Sequence, residues 1–119
     1  MNLHDLCFHL RNRRRMYLLD DRYSTAVAFV TGYDTALDGV PLSGFQRYVA
    51  ARIVGRESSV HWSYLLASTK VPTMLAGRTG IDQIPREVEG ELTDALVDLL
   101  ESYQQESSPT NDNDDDLPR

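Results

Sequence analysis

The chain has 119 residues, with 12 Lys/Arg against 18 Asp/Glu and a net charge of −6. That length suits one domain able to bury its own core without disulfides or metals. No apolar run approaches the roughly 20 residues of a membrane-spanning helix. The opening "MNLHDLCFHLRNRRR" lacks the apolar core of a signal peptide, and the single cysteine, Cys7, cannot form an internal disulfide. Together these point to a cytoplasmic protein. The charge is unevenly spread: residues 1–81 hold 10 basic and 6 acidic side chains, residues 82–119 hold 2 and 12. A basic front and an acidic back imply self-association or a charged partner.

In chain order, Leu3, Leu6, Cys7 and Leu10 recur at helical spacing, with Asn2 as N-cap. After the arginines, "MYLLDDRYS" is expected as an extended or turn segment sending Met16, Leu18 and Leu19 into the core. The stripe Ala26, Phe29, Val30, Tyr33, Leu37 predicts a helix over Ser24–Leu37, capped by Ser24 or by Asp21 before it. Gly32 inside it costs about 1 kcal/mol relative to Ala, which suggests close approach of another helix. Gly39 is the expected left-handed stop.

Pro41 suits the first turn of the next helix, along which Leu42, Phe45, Val49 and Ile53 keep the period up to Gly55. Ser59 opens a further helix whose Trp62, Leu65, Leu66 and Thr69 share a face, and Pro72 stops it. Residues 73–80 read as a loop with at most one helical turn. The last helix carries Ile84, Val88, Leu92, Ala95, Leu96, Leu99 and Tyr103 on one stripe, with Asp82 as cap and Glu87, Glu89 and Glu91 suiting its dipole. Gly90 is its weak point. From Glu106 the composition collapses to "ESSPTNDNDDDLPR", whose single leucine cannot offset the entropy of ordering. The expectation is an all-α, single-domain bundle of about five helices over residues 1–105, with a disordered acidic tail over 106–119.

Candidate chemistry is sparse. Arg11, Arg13, Arg14 and Arg15, with Arg22 nearby, form the one cluster able to hold phosphates. Asp20 and Asp21 partly neutralise it, and the acidic tail can fold back onto it, so a solvated or intramolecular role is favoured over nucleic acid. His4, Cys7 and His9 do not complete a tetrahedral metal shell, and Cys7 sits on the apolar stripe as a small hydrophobe. His61, Ser63 and Glu57 suggest a hydrolase group, but a helix would point His61 and Ser63 apart. "AGRTGID" lacks the phosphate-loop spacing. Trp62 is expected in the core, and the tyrosines at 17, 23, 33, 48, 64 and 103 to bury rings and keep hydroxyls wet. No cofactor or metal is implied.

The last helix repeats like charges at short helical spacings: Glu87/Glu91, Glu91/Asp94, Asp94/Asp98 and Asp98/Glu101. Each i, i+4 pair of this kind costs a few tenths of a kcal/mol. The readings are a solvated face or a docking face for a basic partner.

"RRRMYLLDDRYSTAVAFVTGYDTAL" resembles the "R-P-x-M-Y-L-G … aromatic-x-x-G-Y-x-x-A" opening of a group of small bacterial helical proteins of immunity-protein type. The group's later "GFxxW/Y" segment matches Gly44 to Tyr48, and its tryptophan helix matches "VHWSYLL" around Trp62. The match spans Arg13 to Leu66. Arg14 or Arg15 stands where the group has proline, and Leu19 where it has glycine. The resemblance implies a small helical fold, no catalytic residues and a protein partner such as a toxin domain. The leading expectation is therefore a non-catalytic module that neutralises a partner through an acidic surface. Its contact residues would be Glu87, Glu91, Asp94 and Asp98, with Asp34 and Asp38 as second choices. Nucleic-acid contact through Arg11–Arg15, or a small oligomerising subunit, is the alternative.

Overall fold

The computed structural model describes residues 1–107. Among them six α-helices follow in order: α1 (Leu3–Asn12), α2 (Arg14–Tyr17), α3 (Tyr23–Ala36), α4 (Phe45–Ile53), α5 (Trp62–Ala67) and α6 (Arg86–Ser107). Two 3-10 turns, Pro72–Met74 and Ile81–Gln83, bridge α5 and α6. No strand occurs among the described residues. The all-α expectation holds, with one short helix more than the periodicity indicated. Glu106 and Ser107 belong to α6, and the rest of the expected tail lies outside the described residues.

The core is assembled around α6. Leu92, Leu96, Leu100 and Tyr103 form its buried stripe, and Val97 is buried beside it. Leu6 and Leu10 of α1, Tyr23, Ala26 and Val30 of α3, Phe45 and Val49 of α4, and Trp62, Leu65 and Leu66 of α5 complete the same cluster. Because helices pack on α6 from several sides, its buried face is wider than one amphipathic stripe. That is why Val97 and Leu100, off the stripe read from periodicity, are buried, while Val88, Ala95 and Leu99 are only partly so. Phe45 is an aromatic hub, with the rings of Trp62 and Tyr103 edge-on at 5.2 Å each. Edge-to-face pairs of this kind add about 1 kcal/mol each beyond area burial.

Local chemistry sets the boundaries. Asn2 caps α1 as expected: its Oδ1 accepts from Asp5 N at 2.8 Å, and Asp5 Oδ2 accepts from Asn2 N at 3.4 Å. Gly39 is left-handed as expected (φ 76°), preceded by Asp38 at φ 61°. Gly44, at φ 93°, opens α4. Pro41 and Leu42 lie in the turns before it, so this helix starts later than the proline suggested.

Several expectations are corrected. Leu18 is buried, but Leu19 is fully exposed at 100% and Met16 at 73%. After the single turn of α2 the chain becomes extended at Leu18 (φ −111°, ψ 139°), and successive side chains then alternate in and out. Tyr17 is also surface-facing, its ring 4.5 Å from His9 and 5.9 Å from Phe29. Gly32 meets no close neighbour, since a Cβ there would have nothing within 4 Å. Thr69 falls beyond α5 and is exposed, its hydroxyl donating to the Leu66 carbonyl. Asp82 sits in a 3-10 turn ahead of α6 and does not cap it.

Candidate functional site

The acidic helix and the arginine cluster lie against each other. Arg11 Nη2 bonds Asp98 at 2.6 Å and Glu101 at 2.9 Å, and Arg14 Nη2 bonds Asp94 at 2.7 Å. Arg14 also donates through Nε to the Leu10 carbonyl at 2.8 Å, which fixes its aim. As the arginines advance along the chain their partners retreat, so this arm runs antiparallel to α6. The two carboxylates hold the Arg11 guanidinium well above its ordinary range, the Glu101 hydrogen bond contributing most.

The candidate acidic contacts are placed as follows. Glu87, Glu91, Asp94 and Asp98 lie at i, i+4, i+7 and i+11 on one outer stripe of α6. Glu87 is exposed and has no ion-pair partner among the described residues. Glu91 meets Lys70 at 3.3 Å. Asp94 and Asp98, although paired, keep 60% and 69% of their side-chain surface in water. Asp34 lies elsewhere and is structural: its Oδ1 accepts from Leu42 N at 2.8 Å and closes the turn after α3. Asp38 is exposed in that same turn. The six residues therefore divide into a stripe of four on α6 and a pair at the α3–α4 connection.

The alternative cluster is divided too. Arg11 and Arg14 are committed to α6. Arg13 rests over the Phe8 ring at 5.7 Å, and Arg15 meets Asp21 at 3.1 Å.

Sequence reasoning missed Glu89. This carboxylate is only 1% exposed. Its Oε1 accepts from Tyr23 N at 2.8 Å, and its Oε2 lies 3.7 Å from Nε of both Arg22 and Arg86. Neither Ser24 nor Asp21 caps α3. Glu89 reaches from α6 to do so, and Asp20 accepts from Arg22 N at 3.0 Å just before it. The signal was present, since Glu89 sits three residues before Leu92 on the buried stripe.

His61 and Ser63 are also brought together, against expectation. His61 is the N-cap of α5 and not a helical residue. Its Nδ1 accepts from Ser63 N at 3.1 Å and lies 2.7 Å from Ser63 Oγ. Partial burial lowers the His61 pKa, which favours the neutral ring. Ser63 is buried and Glu57 pairs with Arg47 at 3.8 Å, away from the His61 ring, which packs on Trp62 at 5.0 Å. The arrangement is a helix cap.

Cys7 is buried, and burial together with the nearby Glu101 pushes its thiol up to about 12. No group of three or more His, Cys, Asp or Glu side chains able to hold a metal occurs among the described residues. No helix among them is long and apolar enough to cross a membrane.

Beside a depression lined by Gly44, Gln46, Arg47, Glu57 and Ser58, two more are found among the described residues. One is lined by Met1, Tyr17, Ala28, Phe29, Gly32 and Tyr33 and is almost wholly apolar. The other lies between α4 and the end of α6, lined by Gly44, Arg47, Tyr48, Ala51, Tyr103 and Glu106. There the Arg52 guanidinium stacks over the Tyr48 ring at 4.7 Å and pairs with Glu106, while Tyr48 donates to Glu106 at 3.2 Å. Compared with family models, with curated proteins and with solved structures, the chain gives no significant match.

Proposed function

We propose that this chain is a non-catalytic protein-binding module that neutralises a basic partner protein through the outer stripe of α6. The observation that carries the reading is the alignment of Glu87, Glu91, Asp94 and Asp98 along one exposed edge of a helix anchored by its opposite face. Their intramolecular partners do not close the surface. Exposed ion pairs contribute only a fraction of a kcal/mol each, so a partner's Lys or Arg can displace Arg11, Arg14 or Lys70 at little cost. Such a stripe steers a basic partner and sets orientation without any reaction of its own. The resemblance to immunity-type proteins supplies the class of partner, a toxin domain held in an inactive complex. The arginine alternative is less favoured, because three of its four residues already hold carboxylates, Arg11 and Arg14 on α6 and Arg15 at Asp21.

The test begins with capture of partners on the full chain at low salt, followed by binding of each purified candidate across an ionic-strength series. The expected result is an affinity that falls steeply with salt and is lost in the triple variant Glu87→Lys, Asp94→Lys, Asp98→Lys. An affinity untouched by both salt and charge reversal would remove the proposal.

A further inference from the structure

Among the described residues a second basic surface, apart from Arg11–Arg15, lies along α4 and just beyond it. Arg47 and Arg52 project from α4, and Arg56 follows two residues after its C-cap. Arg56 donates to the Val54 carbonyl at 3.3 Å, and Arg47 reaches Glu57 only at 3.8 Å while keeping 76% of its side chain exposed. Tyr48 and Tyr103 pack 5.5 Å apart and floor the adjacent depression. One carboxylate is already seated there: Glu106, against Arg52 and the Tyr48 hydroxyl. Guanidiniums beside tyrosine faces suit carboxylates, which accept from Arg in a fork.

We propose that this depression is a docking site for an acidic peptide segment, and that its occupant is the chain's own Asp112–Asp116. Three observations support this choice. The last described turn of α6 lies at the site, since Glu106 lines it and Ser107 is the last described residue of the helix. The segment that follows, "SPTNDNDDDLPR", carries four aspartates within five residues. Its length suffices, because five residues past Ser107 reach roughly 17 Å, whereas Arg47 to Arg56 would span roughly 14 Å even at helical rise. Arg11 and Arg14 are occupied by α6 and Arg15 by Asp21, whereas Arg47 lines the same depression as Glu106 near the last described turn of α6. The inference does not depend on the proposed function, which uses a different face of α6.

Backbone amide NMR spectra of the full chain test it, comparing wild type with the variant Asp112→Asn, Asp114→Asn, Asp115→Asn, Asp116→Asn. The two are recorded at low salt and at roughly 0.5 M NaCl, where the screening length falls to about 4 Å. The expected result is that, outside the substituted segment, low-salt shift differences are confined to Gly44–Glu57 and the end of α6 and vanish at high salt. The variant Arg47→Glu, Arg56→Glu should lose the response to tail neutralisation while keeping its helical circular dichroism. Unchanged α4 amides on neutralising the tail would overturn the proposal, as would differences centred on Arg13 and Arg15. Differences that grow with protein concentration would also overturn it, by placing the tail on a second copy.

Discussion

Replacing Glu89 separates the work of a hydrogen bond from the work of a charge. Truncation to Ala leaves the Tyr23 N–H buried without an acceptor, which costs about 1–3 kcal/mol. Loss of the packed side-chain methylenes adds about 1 kcal/mol. The expected total is roughly 2–4 kcal/mol, which lowers the melting temperature by on the order of 10 °C for a domain of this size. Glu89→Gln keeps an oxygen for Tyr23 N and the same volume. It withdraws only the charge opposite Arg22 and Arg86, whose Nε atoms lie 3.7 Å away and whose side chains are 35% and 71% exposed. Water rehydrates both, so the Gln variant should cost about 1 kcal/mol. Urea unfolding of the three proteins, with equal slopes, gives the comparison. If Gln is as damaging as Ala, the charge rather than the cap stabilises this junction and the reasoning fails. A near-neutral Ala variant would refute it outright.

His61 gives a pH signature. Its folded pKa lies below the ordinary 6.5, so below that value the unfolded chain takes up the proton more readily. The cap's contribution should be complete above about pH 6.5 and fade as pH falls through the folded pKa. His61→Asn, which caps without titrating, should flatten that acid-side decline in urea midpoints measured from pH 7 to pH 5. Gly90→Ala should stabilise α6 by about 0.5–1 kcal/mol, since an added Cβ meets nothing within 4 Å; a destabilised variant in thermal melts would contradict that. Gly44→Ala should cost about 1–2 kcal/mol, because φ is 93° there. Cys7 should resist thiol reagents at pH 8 in the native protein and react at the unfolding midpoint in urea; rapid native labelling would show that the thiol is not held in the core.

The bundle was legible where burial faces a single partner. The α1 stripe of Leu6, Cys7 and Leu10 and the Asn2 cap follow from spacing alone, as does the left-handed Gly39. Periodicity failed where several helices surround one, because the buried arc of α6 takes in Leu100, Val97 and even a carboxylate. It failed again at Leu19, where one extended residue decides which neighbour turns inward. The site was half legible. The acidic stripe can be counted from the sequence, but its pairing with Arg11 and Arg14 joins residues about eighty to ninety positions apart, and no local pattern carries that. Glu89 and His61 each act as a cap, one from a distant helix and one by standing just outside its own, so neither matches the pattern of a Ser or Asp before a helix.

The pairing of the two ends of the sequence has a consequence for synthesis. Helix α1 packs its leucines chiefly on α6, and α6 is the last of these helices to leave the ribosome. At about 5–20 residues per second, several seconds pass in which Leu6 and Leu10 have no permanent cover. A nascent chain halted before Leu92 therefore holds most of the fold's helices yet offers the uncovered leucines of α1 to chaperones.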